Sequence, residues 1–315
     1  MKYYLSVLAG AMSYGILSTI VVLAYGEGYQ LGEVVGSQLV TGFILSWLLA
    51  LYTKFKTKRR SQTSKTAATS VFTRLTWKQR LLLMAAGTPT VITGLVYYQS
   101  LRYIPASLAI ILLFQFTWIS VLIQAVSKRQ RPDKVTFLTL IILFGGTLLA
   151  AGFLEQGLSE FNGLGIALGL MAAVSYSLFV LFSGKAVPSA HPAFRSAWMV
   201  TGGLVLLCIL FPPTFLFNGL IWSQLLVFGL LLGFFGAFIP PVLFAIGVPH
   251  IGGDMAGILG AVELPVAVLL SSIVLHEHVS GLQWLGVIIV LIGVALPELY
   301  KLRLKRSRSA PQYSS

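Results

Sequence analysis

The sequence predicts an all-α membrane protein: ten transmembrane helices, built as two inverted five-helix repeats, with both termini cytoplasmic. Three observations carry that prediction. Ten apolar spans follow one another along the chain, the positive charges fall in alternate gaps between them, and short stretches of the first half recur in order in the second.

The first five spans are Tyr3–Tyr25, Val34–Tyr52, Leu81–Tyr98, Ser107–Val126 and Val135–Phe153. The second five are Gly163–Phe182, Ala193–Phe211, Ile221–Ile246, Met255–Leu275 and Leu282–Glu298. Each is near the roughly 20 residues that a helix needs to cross the hydrocarbon core. Of the 22 Lys and Arg residues, all but Arg102 lie at Lys2, in Lys54–Arg80, in Lys128–Lys134, at Lys185 and Arg195, or in Lys301–Arg308. Those gaps share one side, and loops rich in Lys and Arg stay cytoplasmic. Glu27, Glu33, Glu155, Glu160 and Glu277 occupy the opposite gaps, as an outer face would.

A chain of 315 residues that is 57% hydrophobic and 10% charged has too little polar surface to cover a soluble globule. The net charge of +13 would suit a nucleic acid. Its location argues otherwise, because the basic residues sit at span ends, where anionic headgroups hold them. The partner implied is the lipid bilayer, not nucleic acid. Trp47, Trp77, Tyr103 and Tyr300 near the expected interfaces fit an aromatic belt. Lys2 and the apolar run after it imitate a signal peptide, yet the run is long enough to span and recurs later in the chain, so it reads as the first helix. Residues 53–79 read as a basic cytoplasmic loop, and 301–315 as a basic cytoplasmic tail. Cys208 lies inside an apolar span and reads as packing.

The repeats divide the chain at 1–153 and 162–300. Ser13-Tyr14 in the first span recurs as Ser175-Tyr176 in the sixth, and Val40-Thr41-Gly42 in the second recurs as Val200-Thr201-Gly202 in the seventh. A gapless register of the fourth and fifth spans onto the ninth and tenth pairs Ala109 with Ala256, Thr136 with Gln283 and Gly146 with Gly293. Five is odd, so the second copy starts from the opposite side of the membrane. The charges agree: the Lys128–Lys134 loop is basic, while its counterpart His276–Leu282 has no Lys or Arg. Inverted repeats suit alternating access around a central site.

The residues Gly253, Ala256, Gly260, Glu263, Pro265, Glu277, Gln283, Gly286 and Gly293 combine small residues, Glu-x-Pro, a helix-end Glu and a Gly-spaced last helix. With ten spans as two inverted fives, this pattern resembles the drug/metabolite transporter superfamily, EamA type. The resemblance covers the chain up to about Tyr300. It implies a small-molecule carrier of the bacterial inner membrane, often an exporter of amino acids or other metabolites. The first half departs from the pattern, with Phe116, Trp118 and Gln130 where the second has Glu263, Pro265 and Glu277.

Glu263 is the one carboxylate near the middle of a span. An acid there costs about 2.5–3.5 kcal/mol on insertion scales, so it should face protein or a wet cavity. Gly253, Ala256, Gly260, Glu263 and Ala267 share a helical stripe that lets another helix approach. Glu263 is expected either to carry a coupling proton or to pair with a cationic group on the substrate; the plainer alternative is a protonated side chain bonded to a neighbouring helix. Pro240, Pro241 and Pro265 remove backbone donors and should break or kink their helices beside a cavity. Tyr14, Tyr97, Tyr98, Tyr176, Gln115 and Trp118 lie at similar depth and complete a mostly apolar pocket with a few polar groups. The spacings Thr139 to Gly146 and Gly286 to Gly293 read as packing seams, within the chain or in a homodimer.

The enzymatic alternative rests on His276-Glu277-His278, a fragment of a metal site that lacks a third ligand, since His191 and His250 fall in cytoplasmic gaps. The sequence holds no Walker motif, so any driving force comes from an ion gradient, exchange or the substrate's own gradient. The expected function is secondary transport of small metabolites such as amino acids or amphipathic organic molecules, directed outward, with uptake or facilitated exchange as the alternative. No cofactor, metal or enzymatic activity is expected.

Overall fold

The computed structural model describes residues 1–63, 75–128, 134–152, 162–183, 186–187, 190–251 and 259–309. Residues 64–74 of the basic loop, Gln130, Glu155, Glu160, Lys185, Gly253, Met255 and Ala256 lie outside the described residues. Among those described the regular structure is helical, without strands. The α-helices are α1 (Lys2–Gly15), α2 (Leu17–Gly26), α3 (Leu31–Thr63), α4 (Trp77–Ser100), α5 (Ala106–Leu113), α6 (Phe116–Lys128) and α7 (Lys134–Ala150). They continue with α8 (Gly163–Ser183), α9 (Pro192–Leu210), α10 (Leu225–Leu232), α11 (Ile239–Ile251), α12 (Glu263–Val274) and α13 (Gly281–Ser309). A π-helical turn, Gly233–Phe238, joins α10 to α11.

Several of these helices are long and apolar enough to cross a membrane: Lys2–Gly26, Leu31–Lys56, Trp77–Ser100, Pro192–Leu210 and Leu225–Phe244. Shorter apolar helices lie at Ala106–Ile119, Phe137–Ala150, Gly163–Phe179, Glu263–Val274 and Gly281–Leu296. Their outer surfaces are greasy. Phe137, Phe144, Ile209, Ile273 and Ile292 are all exposed, which is unfavourable against water and natural against lipid. The chain is an α-helical membrane protein.

Helix starts are fixed by local chemistry. Thr76 and Gln79 close a capping box at α4, each side chain bonding the other's backbone N–H. Ser280 and Gln283 do the same at α13. Asn162 accepts from the N–H groups of Leu164 and Gly165 at α8. His191 accepts from Ala193 N, ahead of Pro192 at the first helical position of α9.

Small residues then set the packing. α7 lies along α13, α4 along α8 and α9, α1 along α11, and α3 along α9, α10 and the π turn. Across the α7–α13 seam, a Cβ added at Gly146 would meet Ile289 at 2.8 Å, and one at Gly293 would meet Leu143 at 2.8 Å. Across α4–α9, Gly87 faces the Met199 backbone and Gly202 the Met84 backbone, each closer than a Cβ allows. Such approach replaces the hydrophobic driving force that lipid removes.

Candidate functional site

Four helix irregularities are set by backbone hydrogen bonding. Pro265 has no N–H to give the carbonyl four residues earlier. The chain turns at Ala261–Val262, α12 begins at Glu263, and Pro265 sits in its first turn, where a missing donor is harmless. Pro265 therefore marks a helix start. Pro240 and Pro241 open α11 directly after the π turn, and Pro240 is buried. In that turn Ile239 N donates to Phe234 O, five residues back. The same register would pair Phe235 O with Pro240, which has no hydrogen to donate. The Ser13 hydroxyl fills the gap, donating to Phe235 O at 2.6 Å.

The turn at Phe114–Gln115 needs no proline. The Gln115 side-chain amide takes the Ile111 carbonyl at 2.8 Å, so Gln115 N turns to Leu112 O at 3.1 Å, three residues back. The Phe114 carbonyl accepts the Thr117 hydroxyl at 3.0 Å. The register that pairs Ala109 with Ala256 also pairs Phe114–Gln115 with Ala261–Val262, so both turns fall at matching positions. α5 and α12 pack against each other there. Between α1 and α2, Ile16 N donates to Ser13 O, again three back. Gly15 allows the approach of α12: a Cβ on it would meet Glu263 O at 2.8 Å and Val266 Cβ at 2.9 Å.

Glu263 thus stands where broken helices meet. Its side chain is half-buried, and no ion pair is formed with it among the described residues. Tyr14, Tyr97, Tyr98 and Tyr176 all lie within electrostatic reach of its carboxyl. Tyr97 and Tyr98 are buried, Tyr14 and Tyr176 half-buried. Tyr176 packs edge-on against Phe116, 4.6 Å between ring centres, and stacks on Phe179. Gln38 lies beside the Tyr98 hydroxyl, and the Tyr25 hydroxyl donates to the Tyr98 carbonyl at 3.1 Å. Ser18 lies beside Tyr97, yet both hydroxyls are buried and neither reaches a partner at hydrogen-bonding geometry.

Gln115 and Trp118 engage each other. The Trp118 indole donates to Gln115 Oε1 at 2.7 Å, while Gln115 Nε2 donates to Thr147 Oγ1 and Ile111 O, both at 2.8 Å. Thr147 passes its own proton to Leu143 O at 2.7 Å. This buried network ties the α5–α6 turn to α7. The sequence reading missed the serines. Ser13 and Ser175 precede Tyr14 and Tyr176; Ser175 donates to Pro89 O at 2.8 Å, and Ser177 to Phe116 O at 3.1 Å. The repeated Ser-Tyr pair was the available signal, but only its tyrosines drew attention.

On the expected outer side, the Glu277 carboxylate accepts from Ala106 N at 2.6 Å and Ser107 N at 3.0 Å, capping α5. These partners lie 171 and 170 residues away in sequence. His276 and His278 are exposed on either side of it. Among the described residues no three His, Cys, Asp or Glu side chains gather as a metal site.

Comparisons with known proteins agree on the class. The model of the EamA-like transporter family matches residues 1–152 and again 163–297. An uncharacterized transporter of Synechocystis sp. is 25% identical over 202 residues, which span 63% of this chain and 60% of that relative's length. A solved crystal structure of a protein superposes with a TM-score of 0.62 at 16% identity, covering 95% of this chain and 98% of that one. At that identity the likeness is one of fold.

Proposed function

Since this chain belongs to the EamA-like transporter family, and is thus a membrane transporter, we propose that it is a secondary carrier of the bacterial inner membrane. It exports small metabolites, such as amino acids or amphipathic organic molecules, by alternating access. Ten spans form two inverted five-helix repeats, with both termini cytoplasmic. The substrate meets Glu263 and the surrounding tyrosines.

The observation that carries this reading is the convergence of matching helix turns, Phe114–Gln115 and Ala261–Val262, beside a half-buried acid. Broken helices at a central site are how carriers expose polar groups to a substrate. The packing supports the repeat. In a twofold exchange of halves, the contact of α4 with α8 corresponds to that of α11 with α1, and α4 with α9 to α10 with α3; all four are present. The α3–α9 and α7–α13 contacts map onto themselves.

The test is to overexpress wild type and Glu263→Gln in a bacterial host and compare the metabolites in the medium. Export predicts a discrete compound class raised by wild type alone. Media unchanged from those of the host without the protein would count against export, and equal export by the variant and wild type would remove Glu263 from the mechanism.

A further inference from the structure

We infer that the segment joining α9 to α10, residues 211–224, is a membrane anchor lying within the lipid interface, with Phe217 and Trp222 inserted among headgroups and upper acyl chains. In the proposed topology this is the outer leaflet. The occupant of the surface is lipid, whatever compound the protein carries.

Composition is the first sign. Between Arg195 and Asp254 the chain has no Lys, Arg, Asp or Glu, so this loop is bare of such charge. The gaps expected on the same side hold Glu27, Arg102, Glu155 and Glu277. A charged side chain resists entry into lipid and keeps its loop in water; nothing of the kind holds residues 211–224 there. The loop presents instead Phe217 and Trp222, 86% and 80% exposed, more than any other large hydrophobic side chain described except Met1. Both flanks are exposed and apolar too: Ile209 and Leu210 at the end of α9, and Val227, Leu230 and Leu231 on α10. The aromatic pair thus continues the lipid-facing surface of the two spans, and Trp is favoured at headgroup level.

The fold sets the loop beside the spans instead of above them. A Cβ on Gly32 would meet the Phe211 side chain at 2.8 Å, and one on Gly36, a turn further along α3, would meet the Phe215 ring at 2.5 Å. Leu207 of α9 approaches that same Gly36 position at 3.5 Å. After α9 ends, the chain therefore doubles back along α3, and Phe215 is buried there. The Tyr29 and Ser223 hydroxyls bond at 3.0 Å and fix the far end of the loop next to the start of α3. Backbone donors are also met internally. Leu216 N donates to Pro213 O, Phe217 N and Asn218 N to Thr214 O, Trp222 N to Gly219 O and Ser223 N to Leu220 O. Leu220 N takes the Asn218 side chain and Leu225 N the Ser223 hydroxyl, while Pro212 and Pro213 have no N–H to satisfy. A loop in water can leave such groups to solvent, whereas one in lipid has to bond them itself.

The experiment uses the full chain, diluted in phosphatidylcholine–phosphatidylglycerol vesicles, with Cys208→Ser so that one introduced cysteine carries a fluorescent label. The label is placed at Phe217→Cys, with Ile209→Cys as the lipid reference and Glu27→Cys as the water reference. Quenchers are iodide on both faces and lipids spin-labelled high or low on the acyl chain. Phe217→Cys should resist iodide as Ile209→Cys does. The high spin label should quench it more than the low one, at a depth of about 5–10 Å into the headgroup–acyl boundary. Iodide quenching equal to that of Glu27→Cys overturns the inference. Resistance to iodide without quenching by either lipid also overturns it, and assigns the surface to a second copy of the chain. Trp222 gives a reading without a foreign label, which decides if Phe217→Cys fails to fold. Brominated lipid should quench the share of tryptophan emission that Trp222→Phe removes, and quenching of that share by iodide instead overturns the inference. Each of these outcomes leaves the carrier reading standing.

Discussion

Ser13 donates its hydroxyl to the carbonyl of Phe235 at 2.6 Å, the carbonyl that the π turn and Pro240 together leave without a backbone donor. Ser175, its counterpart in the proposed repeat, donates to Pro89 O at 2.8 Å. Each serine precedes a tyrosine of the site, and in the proposed repeat each acceptor belongs to the third span of the other half. The two bonds are not equal in consequence. Pro89 O also accepts the Thr93 hydroxyl at 2.8 Å, so it keeps a partner when Ser175 is removed. Ser13→Ala should therefore cost about 1–3 kcal/mol, the penalty of an orphaned buried carbonyl. Ser175→Ala should cost about 0.6 kcal/mol, typical of an interhelical bond in a membrane. Thermal unfolding in detergent reads both; equal losses would contradict the asymmetry.

The glycines of the α4–α9 contact give a second expectation. Gly87 and Gly202 each face backbone of the opposite helix, with no flexible side chain to yield. Alanine at either position has to push the helices apart, at about 1–3 kcal/mol. Gly94, on the same helix as Gly87, has open space where a Cβ would go. There alanine should be neutral or stabilising by about 0.5–1 kcal/mol through helix propensity. If all three alanine variants melt alike, the close approach of α4 and α9 is wrong.

How much of this was legible depends on the range of the interaction. Hydropathy and charge are read locally, so the apolar helices and their approximate bounds follow from the chain alone. Pro240-Pro241 and Pro265 announce irregular backbone, though not its form: one pair produces a π turn and the other proline a helix start. The turn at Phe114–Gln115 carries no such mark, because a glutamine side chain bonding its own helix looks the same in sequence as one facing a ligand. Gln115 and Trp118 were recognisable as neighbours on one face, but Thr147, which completes their network, comes from another helix. The Ser-Tyr repetition was visible, whereas the reason for the serine, a carbonyl left without a donor more than 200 residues away, was not.

The network around Gln115 predicts a phenotype unlike that of Glu263. Gln115→Leu strands the Trp118 indole N–H and releases the Ile111 carbonyl and Thr147. It should lower stability by about 1–3 kcal/mol through unsatisfied buried groups, while transport per folded molecule keeps its preference among substrates. Gln115→Glu should be worse, since a carboxylate cannot donate to Ile111 or Thr147. The checks are unfolding midpoint and a competition profile on the same preparations. A changed profile at unchanged stability would place Gln115 in contact with substrate after all.

Glu277 joins distant parts of the chain, and its flanking histidines supply the control. Its carboxylate holds the first N–H groups of α5, where negative charge also suits the positive end of the helix. Glu277→Ala should cost about 1–2 kcal/mol, as loss of a capping side chain does. Glu277→Gln keeps one acceptor oxygen and should fall between. His276 is exposed with a φ of 56°, the left-handed region that glycine tolerates best. His276→Gly should accordingly be neutral or mildly stabilising, and His278→Ala neutral. Transport should survive both histidine changes together, because neither side chain is needed for the α5 cap. Loss of function in the double variant, restored by added zinc, would instead revive an enzymatic metal site at the outer turn. Retained transport with a lowered melting point in Glu277→Ala alone would assign this turn to holding α5 in place.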